Sequence, residues 1–439
     1  MKSNKLSLFD TSMLVISLVI GMGIFRNPVE VAQRAKTVEI FFIAWILGGL
    51  ISLCGALTYA EIGSRYAVKG GFYKIFSYCY HPAFAFMVNW MIVISNAGAV
   101  SIVAMVGAEY INPIILPVSL QNPLGIKITA ISSIMLLYII NLVGIRLSAK
   151  TQNVLSLIKI LLMVLLCLAV FFAKPIAHAP SQIITTPSSW LSALALSFIP
   201  IFFTYGGYQQ TINFGTDIDK PQTNTPKGIF YGFATIIILY LTINYAYISV
   251  LGFEGVQKST SLTSDLAKVF FGEMGYKLTS LLLFISVLTF VNSAMLTNPR
   301  VYFAMADDGV LPQIFKKMNP QTQVQVFALS IFVGFLVLVL LFIDSFKELL
   351  NYVMFFDSVG MITSAFTIYL LRKQAISNTN IYQIGFGKNL LPAIFIITYT
   401  AVAISALLDS PQNIPFSLGL FLGGFPLYFL IKKLMSLRA

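Results

Sequence analysis

The sequence predicts an all-α polytopic membrane protein whose first and sixth helices are interrupted at matching places. Three observations predict it. The 439 residues are 57% hydrophobic and only 10% charged, with a mean hydropathy of +0.85, whereas soluble domains carry about 25% charged residues. The apolar runs divide at polar, Pro- and Gly-containing joints into about twelve segments of spanning length. Glycine-containing breaks fall in the first and sixth of these segments, at Gly21 and Gly23 and at Gly206 and Gly207.

Segment 1 (about Leu8–Val31) carries Ile20-Gly21-Met22-Gly23-Ile24-Phe25, followed by Asn27-Pro28. Two glycines and a proline are poor material for an unbroken helix. Backbone groups freed inside a bilayer persist only against protein or a polar cavity. The run is too long for a cleavable signal and lacks a small-residue cleavage site. Segment 2 (about Val38–Arg65) ends in Tyr59-Ala60-Glu61-Ile62-Gly63-Ser64-Arg65. The joint after it holds Lys69-Gly70-Gly71 and the aromatic-rich Phe72–Tyr80, suited to lie along the interface.

Segment 3 (about Ala83–Tyr110) leads to a proline-rich outer joint, Asn112–Pro123. Segments 4 (about Ile126–Gly144) and 5 (about Thr151–Ala173) are separated by the basic turn Arg146–Lys150. Past the outer joint Lys174–Ser189, segment 6 (about Trp190–Phe214) contains Phe202-Phe203-Thr204-Tyr205-Gly206-Gly207-Tyr208. Segments 7 (about Lys227–Leu251) and 8 (about Tyr276–Ala304) flank a joint in which Leu262, Leu266, Val269 and Phe270 recur at helical spacing, the pattern of a short amphipathic lid helix. Segment 8 runs into Arg300–Pro312, a solvated joint with a Gly turn. Segments 9 (about Val326–Ile343), 10 (about Phe346–Leu371), 11 (about Asn389–Leu408) and 12 (about Pro415–Met435) complete a single transmembrane domain over residues 1–439.

An odd number of helices per unit inverts the second unit relative to the first. Breaks five helices apart therefore point to an inverted repeat, residues 8–173 against 190–371, with 388–435 as two accessory helices. The layout alone carries this; no residue-level identity links the halves.

The net charge of +12 does not signal nucleic acid. With the N-terminus inside, alternating joints place 18 Lys and Arg on the N-terminal side and 9 on the other, and Lys159, within segment 5, completes the 28. That bias sets topology and puts both termini in the cytoplasm. Cys54 and Cys167 fall in segments and Cys79 in a cytoplasmic joint, so none is placed for an external disulfide. The histidines, His81 and His178, stand in loops beside prolines, with no metal-ligand spacing. No cofactor or metal is implied, and no clustered His, Asp or Cys supports an enzyme.

Freed N–H groups at the start of a half-helix attract a carboxylate, reinforced by the positive dipole end. Freed carbonyls at the end of another attract an ammonium. Two facing breaks suit a zwitterion such as an α-amino acid; the competing role for the glycines is close helix packing. Lys159 lies about nine residues into segment 5, roughly 13 Å along the helix, too deep to snorkel comfortably. It is either a fixed cation standing where a sodium-coupled protein would bind its ion or a structural ammonium on helix ends. Glu61 and Arg65 form an i,i+4 pair, with a cytoplasmic gate as the sharper alternative. Arg26 reads as an outer-vestibule or snorkelling residue, or as a substrate contact; Glu109 marks the outer end of segment 3. No buried carboxylate is evident in the pocket, which argues against cationic substrates.

These residues resemble the amino acid–polyamine–organocation (APC) superfamily, especially its L-type amino acid transporter branch. Ile20–Phe25 is similar to the Gly-Ser-Gly-Ile-Phe signature of the first helix. Tyr59–Gly63 with Gly70-Gly71 resembles the Tyr-Ala-Glu-Leu-Gly…Gly-Gly joint, Phe203–Tyr208 resembles Phe-Ala-Tyr-Gly-Gly-Trp, and Arg300–Pro312 resembles the joint after the eighth helix. All four occur in order over most of the chain. The resemblance implies a LeuT-type fold with a 5+5 inverted repeat plus two helices.

It also implies a substrate site over Val19, Ile20, Gly21, Met22, Gly23 and Ile24 and over Phe203, Thr204, Tyr205, Gly206, Gly207 and Tyr208. The carboxylate would lie on the amides of Gly21, Met22 and Gly23, and the amino group on carbonyls near Val19-Ile20 and Phe203. Phe203 matches the aromatic that closes over substrate. Lys159 matches the lysine that fills the sodium site in sodium-independent members, with Ser286 and Thr289 as its neighbours. Three departures stand out: Met22 replaces the usual serine, Thr204 an alanine and Tyr208 a tryptophan. The implied activity is sodium-independent transport of neutral amino acids across the plasma (inner) membrane, as exchanger or proton-coupled symporter. Alternatives are a non-transporting amino acid sensor and transport of cationic amino acids or polyamines. No outer cysteine matches the tether to a heavy subunit, so a stand-alone protein is expected.

Overall fold

The computed structural model describes residues 6–65, 71–143, 168, 187–210, 218–342, 346–373, 382–385, 387–409, 411 and 414–436. Lys159 with most of segment 5, Cys167, Gly70, the turn Arg146–Lys150, His178 and the end of segment 6 beyond Gln210 lie outside them. All regular elements among the described residues are helical, the single β feature being an isolated bridge between Leu6 and Ile218. Seven of these helices are long and apolar enough to cross a membrane, and two shorter apolar ones accompany them.

Segment 1 is two helices. α1 (Leu8–Val19) starts at a capping box in which the Ser7 hydroxyl accepts from the Asp10 amide and the Asp10 carboxylate accepts from the Ser7 amide. It ends where Ile20 turns extended (φ −67°, ψ 94°), and α2 (Gly23–Ala35) restarts the chain. α3 (Val38–Arg65) follows the expected bounds, and the short α4 (Gly71–Cys79) covers most of the aromatic-rich stretch Phe72–Tyr80. α5 (Pro82–Ile115) continues five residues past the expected end, through Pro113. A proline so near a helix C-terminus removes one rung where the ladder is about to end.

α5 is apolar on all sides and buried over most of its length, packing against α6 (Pro123–Val143), α9 (Leu262–Asp307), α10 (Val326–Phe342), α11 (Phe346–Lys373) and α13 (Ile414–Ser436). Such a helix forms a bundle axis. α7 (Pro187–Tyr205) ends at the second break; α8 (Pro221–Lys258) and α12 (Leu390–Asp409) complete the set. α1 packs on α8, whereas α2 packs chiefly on α7 and also reaches α8.

The lid is present, as the first turns of α9. It is set off by two backbone kinks, at Gly252 (φ 71°, ψ 160°) and Gly272 (φ 62°, ψ −156°). Positive φ of this kind favours glycine. Leu262 and Leu266 are fully buried, but Val269 is 60% exposed, so the apolar stripe is narrower than its spacing predicts. Segment 8 starts at the Gly272 kink and reaches Asp307, three residues past the expected Ala304, before Gly309 (φ 70°) turns the chain.

Candidate functional site

At the first break, the amides of Gly21, Met22, Gly23 and Ile24 donate no hydrogen bond among the described residues, and the first amide to be used is that of Phe25, donated to the Met22 carbonyl (3.1 Å). Met22 stands at the cap of α2 with no side-chain cap bond. A capping serine or aspartate would have occupied these donors. The result is a cluster of free N–H groups at a helix N-terminus, with the Met22 side chain buried beside it.

The second break faces the first. A Cβ on Gly23 would lie 2.9 Å from the Thr204 Cα, and one on Gly207 (φ +113°) would lie 2.2 Å from the Leu18 carbonyl oxygen. Both positions require glycine because backbone meets backbone there. The Gly207 amide turns to the Gln209 side chain (2.8 Å) and the helical ladder ends.

Three side chains hold the pair of breaks. The Tyr240 hydroxyl on α8 is within reach of the Val19 carbonyl (3.2 Å) and the Thr204 carbonyl (3.4 Å), one from each break. Asn27 on α2 donates through Nδ2 to the Thr204 hydroxyl (2.7 Å) and the Pro200 carbonyl (3.0 Å). The Tyr110 hydroxyl on α5 donates to the Phe25 carbonyl (2.8 Å), and the lid approaches the same oxygen through Thr263 (3.5 Å).

The structure thus brings together Val19, Gly21, Met22, Gly23, Ile24, Thr204 and Gly207. Phe203 remains partly exposed, while Thr204 and Tyr205 are buried. The Tyr205 hydroxyl donates to the Trp45 carbonyl (3.3 Å). Tyr208 is fully buried against Tyr59 and Phe233, with its hydroxyl beside Gly55 of α3. Ser286 and Thr289 are buried on α9, each donating to a carbonyl of its own helix (3.0 and 3.1 Å). A cleft of about 190 Å³ elsewhere, lined by residues including Asn141, Pro299, Arg300, Gln323 and Leu329, involves none of the break residues.

Charged clusters lie at both ends of the bundle. At one, Glu61 is fully buried and both its oxygens are saturated. Oε1 accepts from Arg65 Nε (2.8 Å) and Arg372 Nε (2.9 Å), and Oε2 from Arg372 Nη2 (2.7 Å) and the Ile384 amide (2.9 Å). The expected i,i+4 pair exists, but it is half of a tie between α3 and α11. Tyr382, in the joint between α11 and α12, is held by Ser64 (2.9 Å), and burial beside Glu61 raises its hydroxyl above the ordinary tyrosine range.

At the other end, Arg26 does not snorkel. Its guanidinium lies over the Phe346 ring (4.8 Å) and pairs with Glu30 (3.5 Å) and Glu109 (3.3 Å), linking α2 to α5. Two turns on, Arg34 meets Asp409 (3.6 Å) and Asn351 (3.2 Å).

Asp357 escapes a sequence reading organised around the breaks. An acid in the middle of the apolar run 346–371 is itself the signal that finds it.

The sequence has counterparts among known proteins. A family profile described as "Amino acid permease" matches residues 6–425. The chain is 26% identical over 425 residues to the "Serine/threonine exchanger SteT" of Bacillus subtilis (strain 168), covering 96% of this chain and 95% of that protein. It is 25% identical over 433 residues to "Large neutral amino acids transporter small subunit 2" of Mus musculus, covering 95% of this chain and 79% of that protein. It is 23% identical over 439 residues to "Asc-type amino acid transporter 1" of Mus musculus, covering 97% and 81%.

Proposed function

The chain belongs to the amino acid permease family, and we propose that it carries amino acids across the membrane by alternating access, as a transporter and not an enzyme. The observation that carries this reading is the pair of facing breaks. Free amides at the start of α2 meet the end of α7 across a backbone contact that only glycine allows. A carboxylate fits the first and an ammonium the second.

On this reading Val19 to Ile24 and Phe203 to Tyr208 bind substrate, with Gly21, Met22 and Gly23 on the carboxylate. Lys159 fills the position a sodium ion would take, with Ser286 and Thr289 nearby, so transport is independent of sodium. The helices form a LeuT-type 5+5 inverted repeat plus two, residues 8–173, 190–371 and 388–435, within one domain. Neutral amino acids are the preferred class. The protein works as an exchanger, which the name of the Bacillus relative supports, or as a proton-coupled symporter, in the plasma membrane. The positive joints support cytoplasmic termini, and the lack of a cysteine in the expected outer joints supports a protein without a disulfide-linked heavy subunit.

The clusters at the two ends are tied at once, Glu61–Arg372 at one and Arg26–Glu109 at the other. Opening either end requires breaking one tie, the two-sided control that alternating access needs.

Purified protein in liposomes preloaded with unlabelled amino acid should take up labelled L-serine or L-leucine at equal rates with and without sodium. Strict sodium dependence would remove the role given to Lys159. Binding without counterflow would replace the transporter by a sensor.

A further inference from the structure

Asp357 is the twelfth residue of α11, which spans 28 residues, so it stands about 16 Å from the Phe346 end at the usual helical rise. Its neighbours Phe355, Phe356 and Ser358 are buried. Its own side chain is only partly covered by the described residues. An ionisable group at such depth is costly to keep and marks an ion or proton pathway more often than it serves packing.

Among the described residues its surroundings are hydroxyl-rich and hold no opposing charge. The carboxyl lies close enough to act electrostatically on the hydroxyls of Tyr59 of α3, Tyr208 just past the second break and Tyr399 of α12. Among the described residues it makes no ion pair. Of the other elements packed on α11, α4 is followed by Tyr80, which donates to the Thr363 carbonyl (2.6 Å), and α7 brings Tyr205, committed to Trp45. α3 also carries Cys54, and α5 offers Ser95 on the Val353 carbonyl but no titratable side chain between residues 82 and 108. Among the described residues the paired charges around α11 stand at the helix ends: Glu61 and Arg65 beside Arg372, and Glu109, Arg34 and Asp409 opposite.

We propose that Asp357 is the proton-binding group of this transporter: its carboxylate takes a proton from water on one side of the membrane and, after the helices rearrange, returns it to water on the other. The step is a simple protonation and deprotonation; no other bond changes. Tyr208 joins it to the site, because that side chain follows the Gly206-Gly207 break, and movement of the break alters the hydroxyl setting of the acid. The proposal rests on the transport reading and decides within it for proton symport over obligatory exchange. The rival occupant of an unpaired carboxylate is a cationic side chain of the substrate.

The test uses the full chain in liposomes with a trapped pH indicator. Addition of L-serine or L-leucine outside should acidify the lumen in step with uptake, and an inward proton gradient should drive accumulation. Asp357→Asn should keep counterflow while acidification falls at least tenfold, and Asp357→Glu should retain it. On the wild-type protein, a hydrophobic carbodiimide should label Asp357 in a pH-dependent way, read by peptide mass spectrometry, and should stop proton movement. Wild-type uptake without acidification, L-lysine accumulation without acidification, acidification retained in Asp357→Asn, or labelled protein that still moves protons would each overturn the proposal. All four leave amino acid transport standing. Absence of any uptake or counterflow by the wild-type protein would overturn both.

Discussion

Arg372 grips Glu61 at two points across 311 residues of sequence, through Nε to Oε1 at 2.9 Å and Nη2 to Oε2 at 2.7 Å. A planar guanidinium is the one side chain that can close this fork. Removing it leaves a fully buried carboxylate whose remaining charged partner among the described residues is Arg65. Arg372→Ala should therefore cost about 3–5 kcal/mol, the usual price of breaking a buried pair. Arg372→Lys should recover only part of that. Thermal unfolding in detergent of the two variants and of Arg65→Ala should rank Arg372→Ala as the least stable.

The two glycines at the breaks separate sterics from chemistry. A Cβ at Gly207 meets the Leu18 carbonyl oxygen at 2.2 Å, whereas at Gly21 the nearest atom is 3.8 Å away. Gly207→Ala should lower stability by about 1–3 kcal/mol through overpacking, with left-handed strain added, and should abolish uptake. Gly21→Ala should melt within a degree or two of wild type. Comparing both variants by thermal shift and by labelled uptake checks the contrast; equal destabilisation would mean the breaks do not approach as described.

Arg26 has two acids within reach, Glu30 on its own helix and Glu109 across on α5. A double-mutant cycle with Arg26→Ala and Glu109→Ala should return a coupling energy of about 1–3 kcal/mol. Arg26→Ala alone should be worse than the double variant, because it leaves two carboxylates facing each other. Chemical denaturation monitored by tryptophan fluorescence gives both numbers.

Tyr240 touches a carbonyl from each break. Tyr240→Phe removes one hydroxyl and should cost about 0.5–1.5 kcal/mol. If the hydroxyl holds the breaks in binding register, apparent substrate affinity should fall several-fold with little change in the number of folded molecules. Saturation curves of uptake alongside size-exclusion profiles test this.

What the sequence reveals follows the range of each interaction. The break at Ile20–Gly23 is a local conflict between glycine and helix, so it is legible and falls where the residues place it. The lid is legible as periodicity, yet Val269 lies exposed, since spacing marks a face without showing what packs on it. The Glu61–Arg65 half of the inner cluster is an i,i+4 contact; the Arg372 half is tertiary and has no local signature. Likewise Arg26 reads as a solvent-seeking charge until Glu109 and Phe346 are seen to surround it. The packing of Tyr208 on Tyr59 of α3 is also tertiary and has no local signature.

The lid between Gly252 and Gly272 has open space around both kinks, since a Cβ at either would meet nothing within 4 Å. It is nevertheless fastened to the helices beneath it through Thr263 on Tyr247 and Ser264 on Ser280, both at 2.8 Å. Through Thr263 it also reaches the first turn of α2. A molecule that gripped this segment from its exposed rim would arrest turnover without entering the binding pathway. Its inhibition would be of the kind that saturating substrate does not relieve.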